Sequence, residues 1–287
     1  MTPYHAAALP HEFEGGGQTA VETHVPSLHI SSSHVSSTPP PRTTTEKGRY
    51  EIRVAQSLAE RESACRLRFK VFNIELGEGL SSSYSTGMDQ DAFDLFCDHL
   101  IVTDRMHGEV VGTYRMQSGA MALRNIGYYS DQEFDLSPFE PVRDQLLELG
   151  RASIDREHRT SEVLNLLWRA IATYARSHGL RYLIGCSSLN SEVPATGWSV
   201  YEQLIPFLAP GPFLTQPREE YMLPQAAAPS EIQEKVPRLL RAYIGVGARI
   251  CSTPAWDREF RTIDFLTLLD LENLSPAARN RFLGEEA

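Results

Sequence analysis

The clearest periodic stretch of the chain runs from Leu146 to Ser188. Leu146, Leu147, Leu149 and Ile154 make an apolar run that carries one carboxylate, Glu148, and one guanidinium, Arg151. Such a run reads as a buried strand. A turn from Asp155 to Thr160 follows, and Ser161 stands in the N-cap position ahead of Val163, Leu164, Leu166, Leu167, Ala170, Ile171 and Tyr174. That spacing predicts an amphipathic helix, which His178-Gly179 ends. Tyr182 to Ser188 reads as a second buried strand. A strand–helix–strand unit predicts a parallel pair with a ligand near the helix N-terminus.

The pattern before this unit predicts a strand at Tyr50–Ala55 and a helix from Ser57 to about Asn73, with Glu60 completing a capping box. Arg68 stands in that helix beside Phe69 and Phe72, which suits a half-buried role as well as a solvated one. Gly77 to Asp94 is a long polar connection ending in Asp89, Asp91 and Asp94 around Phe93. Loops of this length are functional or disordered. Its carboxylates suit a metal, a cationic amine, or plain solvation. Cys97–Asp104 and Glu109–Gln117 alternate and predict a hairpin in which Arg115 projects opposite Tyr114 and Met116. An arginine inside a strand calls for a partner, because unpaired burial is costly. His99 reads as structural. Residues 119–144 carry no clear period.

After the central unit, Ala195–Leu208 and Ser230–Gly245 read as helices, with Pro224–Ser230 as a linker. Ala248–Ser252 and Phe260–Leu269 read as late strands. Residues 1–48 are rich in Ser, Thr, Pro and His and poor in large apolar groups, so a disordered tail is expected there. Residues 49–283 then form one α/β (α+β) domain, with a central mixed sheet and flanking helices.

Composition narrows the function. The chain has 287 residues and a formal net charge of −10, which argues against a general nucleic-acid or anionic-membrane surface. Cys65, Cys97, Cys186 and Cys251 are far apart without a C-x-x-C pair, which suits a reducing cytosol and neither a zinc cluster nor a disulfide framework. No metal is expected. No secretory signal or membrane span is evident. A cytoplasmic protein with peripheral contact at the inner membrane is the expectation.

Several stretches, in consistent order over roughly residues 50–283, resemble a known family. They are Leu67-Arg-Phe-Lys-Val-Phe72, Asp91 to Val102, Val111-Gly-Thr-Tyr-Arg115, Glu148-Leu-Gly-Arg151, Leu166-Leu-Trp-Arg169, Leu183 to Ser188 and Pro254 to Phe260. The succession resembles the GNAT acyltransferase fold. Within it, the motifs are similar to the hemolysin-like ornithine N-acyltransferases that form lyso-ornithine lipid. The acyl-homoserine-lactone synthases share the sparse set Arg68, Phe72, Asp91, Asp94, Arg115, Glu148 and Arg151. Their tryptophan after the first helix is replaced here by Asn73-Ile-Glu-Leu-Gly77, which favours the lipid-forming branch.

The resemblance implies direct transfer of a long (3-hydroxy)acyl group to the α-amine of ornithine. Glu148, in an apolar strand, is the candidate base, directly or through water. The alternative, that it simply pairs with Arg151 or Arg115 across the sheet, stays open. Backbone amides of the same strand would serve the oxyanion. Arg68, Phe72, Asp91, Asp94, Arg115 and Arg151 are the implied substrate-binding set, with Asp91 and Asp94 taking the side-chain ammonium.

In GNAT enzymes the turn after this strand holds the pyrophosphate or phosphopantetheine arm. Here Arg156, Arg159, Thr160 and Ser161 occupy it, without the usual glycines. That suits an acyl carrier protein, which supplies its own phosphopantetheine arm, so no separate cofactor is expected. Residues 143–181 hold seven arginines against five acids in an otherwise acidic chain, a local patch complementary to an acidic carrier. Cys186 and Ser187 lack the nucleophile-elbow pattern and read as strand residues. Acylation of glycine or another amino acid, synthesis of an acyl-homoserine-lactone-type signal, and non-enzymatic carrier or lipid binding are the competing readings.

Overall fold

The computed structural model describes residues 48–225 and 234–284. The expectation for the tail falls almost wholly on residues 1–47, outside the described residues. The chain opens with strand β1 (Tyr50–Val54) and helix α1 (Leu58–Phe69). Ser57 caps α1 by accepting from the Glu60 amide. Beyond Phe69 the helix is wound more widely as a π-helical segment, Lys70–Leu76. Gly77 stops it, past the expected end at Asn73, by taking the left-handed conformation at φ 69°.

Strands β2 (Asp98–Asp104) and β3 (Glu109–Ser118) form the expected hairpin. The unread segment that follows holds a short helix, α2 (Gly119–Arg124), and two tight turns, Ser130–Gln132 and Ser137–Gln145. Then come β4 (Leu146–Ile154), helix α3 (Ser161–Ser177) and β5 (Tyr182–Leu189). The cap of α3 is Thr160, which accepts from the Val163 amide, and Ser161 is the first helical residue. Both residue types cap well, so the pattern alone did not separate them.

Helix α4 (Pro194–Leu204) is shorter than expected because Pro206 limits its continuation. Helix α5 spans Arg238–Val246 after Pro237, and the expected start at Ser230 lies outside the described residues. Strands β6 (Arg249–Ile250), β7 (Ala255–Asp257) and β8 (Thr262–Asp270) and helix α6 (Pro276–Leu283) complete the chain. β7 and α6 escaped the pattern reading, each being too short to show a period.

The eight-stranded sheet runs β1-β2-β3-β4-β5-β8-β6, with β7 also on β8. All described pairings are antiparallel except β4 with β5. Alternation along β4 divides the core. Leu147 and Leu149 pack with Trp168, Ile171 and Leu167 of α3. Leu146 packs with Phe134, Phe139 and Ile184 in the cluster that takes in the turns after β3. Each such leucine contributes about 1.5–3 kcal/mol by leaving water. The two faces of one sheet are therefore closed by different parts of the chain.

Two local features open a gap in this sheet. The parallel ladder holds at Leu146–Tyr182, Leu147–Leu183 and Glu148–Ile184, and goes no further. β4 continues to Ile154 and β5 to Leu189 without pairing, so the strands part just after Glu148. Gly185 sits at the fork, where a Cβ would lie 2.2 Å from the Leu149 carbonyl oxygen. Only glycine lets the backbones approach there. On the other side of β4, Arg115 pairs with Gly150 and Thr113 with Ser153, so Arg151 and Ala152 together oppose Tyr114. This is a β-bulge, and it puts Arg151 at φ 52°, a left-handed conformation that costs about 1–3 kcal/mol for a side-chain-bearing residue.

Candidate active site

The strained Arg151 belongs to a closed ring of six ion-paired side chains. Arg68 reaches Asp89 (2.8 Å) and Asp94 (2.7 Å). Arg115 reaches Asp94 (3.2 Å) and Asp91 (2.6 Å). Arg151 reaches Asp91 (3.0 Å) and Asp89 (3.3 Å), which closes the circuit. Each guanidinium touches two carboxylates and each carboxylate two guanidiniums, so the ring is neutral. It ties α1, the Gly77–Asp94 connection, β3 and β4 together. Arg68 is fully buried and also donates to the Asp89 carbonyl. Its fork grips Asp94 through Nη1 (2.8 Å) and Nη2 (2.7 Å), which only a guanidinium can do. Against the burial that opposes it, the Arg68 pairing holds the Asp94 carboxyl well below the usual range.

Aromatic rings floor this network. Arg151 lies 4.2 Å from the Phe260 ring centroid and 4.6 Å from that of Tyr129. Arg115 lies over Phe93 and Tyr129. His99 is buried beneath the ring, and burial pushes its imidazole down to about 4, so it is neutral near pH 7.

The arrangement corrects two expectations. Asp94 is buried and taken up by Arg68 and Arg115, whereas Asp91, paired with Arg115 and Arg151, keeps some exposed surface and lines a smaller cavity beside Arg151. Arg68 has no exposed surface with which to touch a ligand. Asp89, one of the three loop acids, closes the ring between Arg68 and Arg151. Of the expected substrate-binding set, Phe72, Arg115 and Arg151 line the cavity described next. Phe72 meets Phe260 edge-to-face at 6.4 Å.

A cavity of about 270 Å³ occupies the fork between β4 and β5. Tyr114, Leu149, Trp168, Leu183, Tyr243 and Leu269 line it from the α3 side of the sheet. Gln117, Ser130, Glu148 and Arg151 line it with polar groups. Glu148 is 5% exposed and is held by two backbone donors. The Ser130 amide donates to Oε1 at 2.7 Å and the Tyr129 amide to Oε2 at 2.9 Å. Burial raises its pKa against these donors, which lower it. The expected alternative, a cross-sheet pair with Arg115 or Arg151, is replaced by this two-amide clamp. A buried carboxylate with a raised pKa beside a cavity is suited to taking and returning a proton.

The four residues expected at the carrier arm share the surface around the α3 N-terminus. Arg156, Thr160 and Ser161 are exposed. Arg159 is already paired with Glu75 at 2.5 Å and donates to the Ile154 carbonyl. Cys186 and Ser187 are strand residues at the fork. The Cys186 thiol is pushed well up by burial and donates to Ser130 Oγ at 3.5 Å, which does not suit a nucleophile.

Sequence reasoning missed a second set of acids. Glu133, Asp257 and Asp264 are all buried, and Asp257 and Asp264 line the cavity with Glu78. Asp264 carried a readable signal, because it sits among Ile263, Phe265 and Leu266 in an apolar strand as Glu148 does in its own. Glu133 lies in the stretch without a period.

The acetyltransferase (GNAT) domain family matches residues 67–169, from α1 to α3. The chain is 30% identical over 262 residues to the L-ornithine N(alpha)-acyltransferase of Brucella abortus, covering 82% of this chain and 92% of that protein. It is 31% identical over 242 residues to the L-ornithine N(alpha)-acyltransferase of Rhodobacter capsulatus, covering 80% and 93%. Among solved structures, the AHL synthase LasI superposes with a TM-score of 0.48 at 13% identity, over 83% of this chain and 96% of that one. FeeM, an N-acyl amino acid synthase from uncultured soil microbes, gives 0.49 at 11% identity, over 80% and 94%. With relatives of 30% identity or more matched over about four-fifths of its length, the chain belongs to the L-ornithine N(alpha)-acyltransferase family and is an acyltransferase with a GNAT domain.

Proposed function

We propose that the chain moves a (3-hydroxy)acyl group from the phosphopantetheine thioester of an acyl carrier protein to the α-amine of ornithine, the first step towards an ornithine lipid. The observation that carries this reading is Glu148 clamped at a fork whose one side is apolar and whose other side is polar. The activity for which the relatives are named supports the acceptor.

In this reading the acyl chain lies against Tyr114, Trp168, Leu183 and Tyr243, and the thioester carbonyl stands at the fork. Glu148 takes a proton from the ammonium, and the freed nitrogen attacks the carbonyl carbon. A C–N bond forms, the C–S bond breaks, the nitrogen's second proton passes to the sulfur, which leaves on the carrier's arm as a thiol, and Glu148 gives the proton it took to solvent. Arg151, the strained member of the ring, is the group we assign to the acceptor's carboxylate. Exposed Arg156, Thr160 and Ser161 at the N-terminal end of the 17-residue α3 suit the arm's single phosphate. The arm arrives with the carrier, so the protein needs no cofactor of its own. Among the described residues no helix is long and apolar enough to cross a membrane. The reaction is read as cytoplasmic, with the lipid product released at the inner membrane.

The test is direct. Purified full-length chain is given 3-hydroxyacyl carrier thioester and ornithine, with thiol release followed by colour and the amide by mass spectrometry. Ornithine-dependent thiol release with matching N-acylornithine is expected. Release with glycine but not ornithine would move the acceptor, and release from acyl-coenzyme A alone would remove the carrier protein.

A further inference from the structure

We infer that a second polar pocket, formed by Glu133 and Asp264 beside Glu148, receives a primary ammonium on the side chain of the acceptor amino acid and sets acceptor specificity. This deepens the acceptor reading above and rests on it. Glu133 is 1% exposed and Asp264 3% exposed. Apart from a hydrogen bond that the two carboxyls can share with each other, neither oxygen of Glu133, nor Oδ1 of Asp264, has a partner in the protein. Among the described residues no lysine or arginine forms an ion pair with either. Two buried carboxyls without a cationic partner are costly, and burial together with the neighbouring acids pushes both up. The neighbouring Asp257 differs, because its Oδ1 accepts from the Glu259 and Phe260 amides at 2.9 and 3.0 Å.

The placement points to a ligand rather than to a structural pair. Asp264 and Glu148 line one cavity. Glu133 follows the turn whose Ser130 amide grips Glu148, and its own amide donates to the Ser130 carbonyl at 3.2 Å. The base and Glu133 are thus tied to the same short piece of backbone, while Asp264 comes to the cavity from β8. Three carboxyl oxygens with no partner outside this pair face the three N–H donors of a primary ammonium, which would replace the proton the two acids share. The substrate class is an α,ω-diamino acid, with its α-nitrogen at Glu148 and its far nitrogen between Glu133 and Asp264.

A bound metal ion is the competing occupant, because Glu133, Cys186 and Asp264 each bring an atom within 4.8 Å of the others. Cys186 argues against it, being a thiol that donates to Ser130 Oγ in a setting that disfavours the thiolate a metal needs.

The experiment compares kcat/KM for ornithine and for norvaline, which has a side chain of the same length without the ammonium. Wild type, Glu133→Gln and Asp264→Asn are tested as full-length protein, each checked for folding by thermal melting. Both variants replace one of two neighbouring acids by its neutral isostere, so melting no lower than wild type is expected. The wild type should prefer ornithine, and the ornithine-to-norvaline ratio should fall about 30-fold or more in each variant, chiefly through KM for ornithine. If the wild type prefers ornithine and both folded variants keep that preference, the pocket assignment is overturned while the ornithine reading stands. If the wild type acylates neither amino acid, the ornithine reading itself has failed and takes this inference with it. Stoichiometric metal in the purified wild type that Asp264→Asn lacks would also overturn the assignment.

Discussion

Replacing Glu148 by Gln separates the catalytic from the structural work of this carboxylate. The structural cost follows from its two backbone clamps, the Ser130 amide at 2.7 Å and the Tyr129 amide at 2.9 Å. A glutamine offers one oxygen, so one amide must face an NH2 group instead of an acceptor. Losing a hydrogen bond to a charged group costs about 1.5–3 kcal/mol, partly offset because a neutral amide is easier to bury than a carboxylate. A net loss of about 1–3 kcal/mol lowers Tm by about 2–4 °C per kcal/mol in a domain of this size. Even a chain that starts near 5 kcal/mol then keeps about 2 kcal/mol and stays roughly 97% folded. The catalytic cost is larger. Losing a general base slows the chemical step about 10²- to 10⁴-fold, equivalent to about 3–5 kcal/mol of barrier. A loss of folded protein of a few per cent cannot mimic that. The assay is initial-rate thiol release with saturating carrier thioester, beside a melting curve on the same preparation. The variant should also recover rate as pH rises, because bulk solvent then supplies the free amine. A folded variant whose kcat stays within about threefold of wild type would refute the assignment of Glu148 as the base.

Three further outcomes follow from particular contacts. Arg68→Lys keeps the charge but cannot fork onto Asp94 while reaching Asp89, so denaturant unfolding should show about 3–5 kcal/mol lost; a loss under about 1 kcal/mol would mean the ring is not held as a unit. Gly185→Ala brings a methyl to 2.2 Å from the Leu149 oxygen, so the fork must shift, with about 1–3 kcal/mol of stability lost and slower acyl transfer; unchanged melting and rate would show that the fork is not tightly set. The third is pH dependence. Asp264 is pushed up to about 6 by burial and by Asp257, so between about pH 4 and 6 the native state holds a proton the unfolded state has lost, and stability falls as pH rises through that window. His99 is pushed down to about 4 by burial, so below about pH 6.5 the unfolded state binds the extra proton and stability falls as pH drops. Asp264→Asn removes the first slope and also relieves Glu133 and Glu78, which Asp264 pushes up: melting curves from about pH 4.5 to 7.5 should show the variant gaining on wild type as pH rises, and a constant difference would contradict the buried-acid account.

What could be read in the sequence tracks how local the cause is. The β4–α3–β5 unit was legible because its apolar spacing is periodic, and Glu148 stood out because a carboxylate in an apolar strand needs a reason. The amides of Tyr129 and Ser130 that hold it were not legible, since a backbone N–H has no side-chain signature. The ring shows the opposite failure. Each of its six residues was visible, but Asp91 and Asp94 look like free loop acids until Arg68, Arg115 and Arg151 are folded onto them. Partner choice between residues dozens of positions apart is set by the sheet register and the bulge at Arg151, which no local pattern encodes. Asp264, a carboxylate in the apolar run of β8, carries the same local signal as Glu148.

The ring and the unpartnered acids divide the electrostatic work between them. Three guanidiniums closed on three carboxylates leave little net charge to attract a ligand, so the ring's contribution is rigidity: it holds Arg151 in a strained conformation and anchors β4 where the base sits. Attraction is left to the acids the protein does not satisfy, Glu133 and Asp264, together with Glu78, whose carboxyl burial and Asp264 push up to about 7. Under the reading proposed above, this division also decides which nitrogen of a diamino acid reacts. A nitrogen between Glu133 and Asp264 gains proton affinity from two neighbouring acids and stays an ammonium, with no lone pair to attack. The α-nitrogen lies beside Glu148, the carboxylate placed by the Ser130 and Tyr129 amides to take its proton. Giving the uncompensated acids and the base separate nitrogens of one ligand therefore serves two ends at once: it draws in the cation and keeps the far nitrogen out of the chemistry.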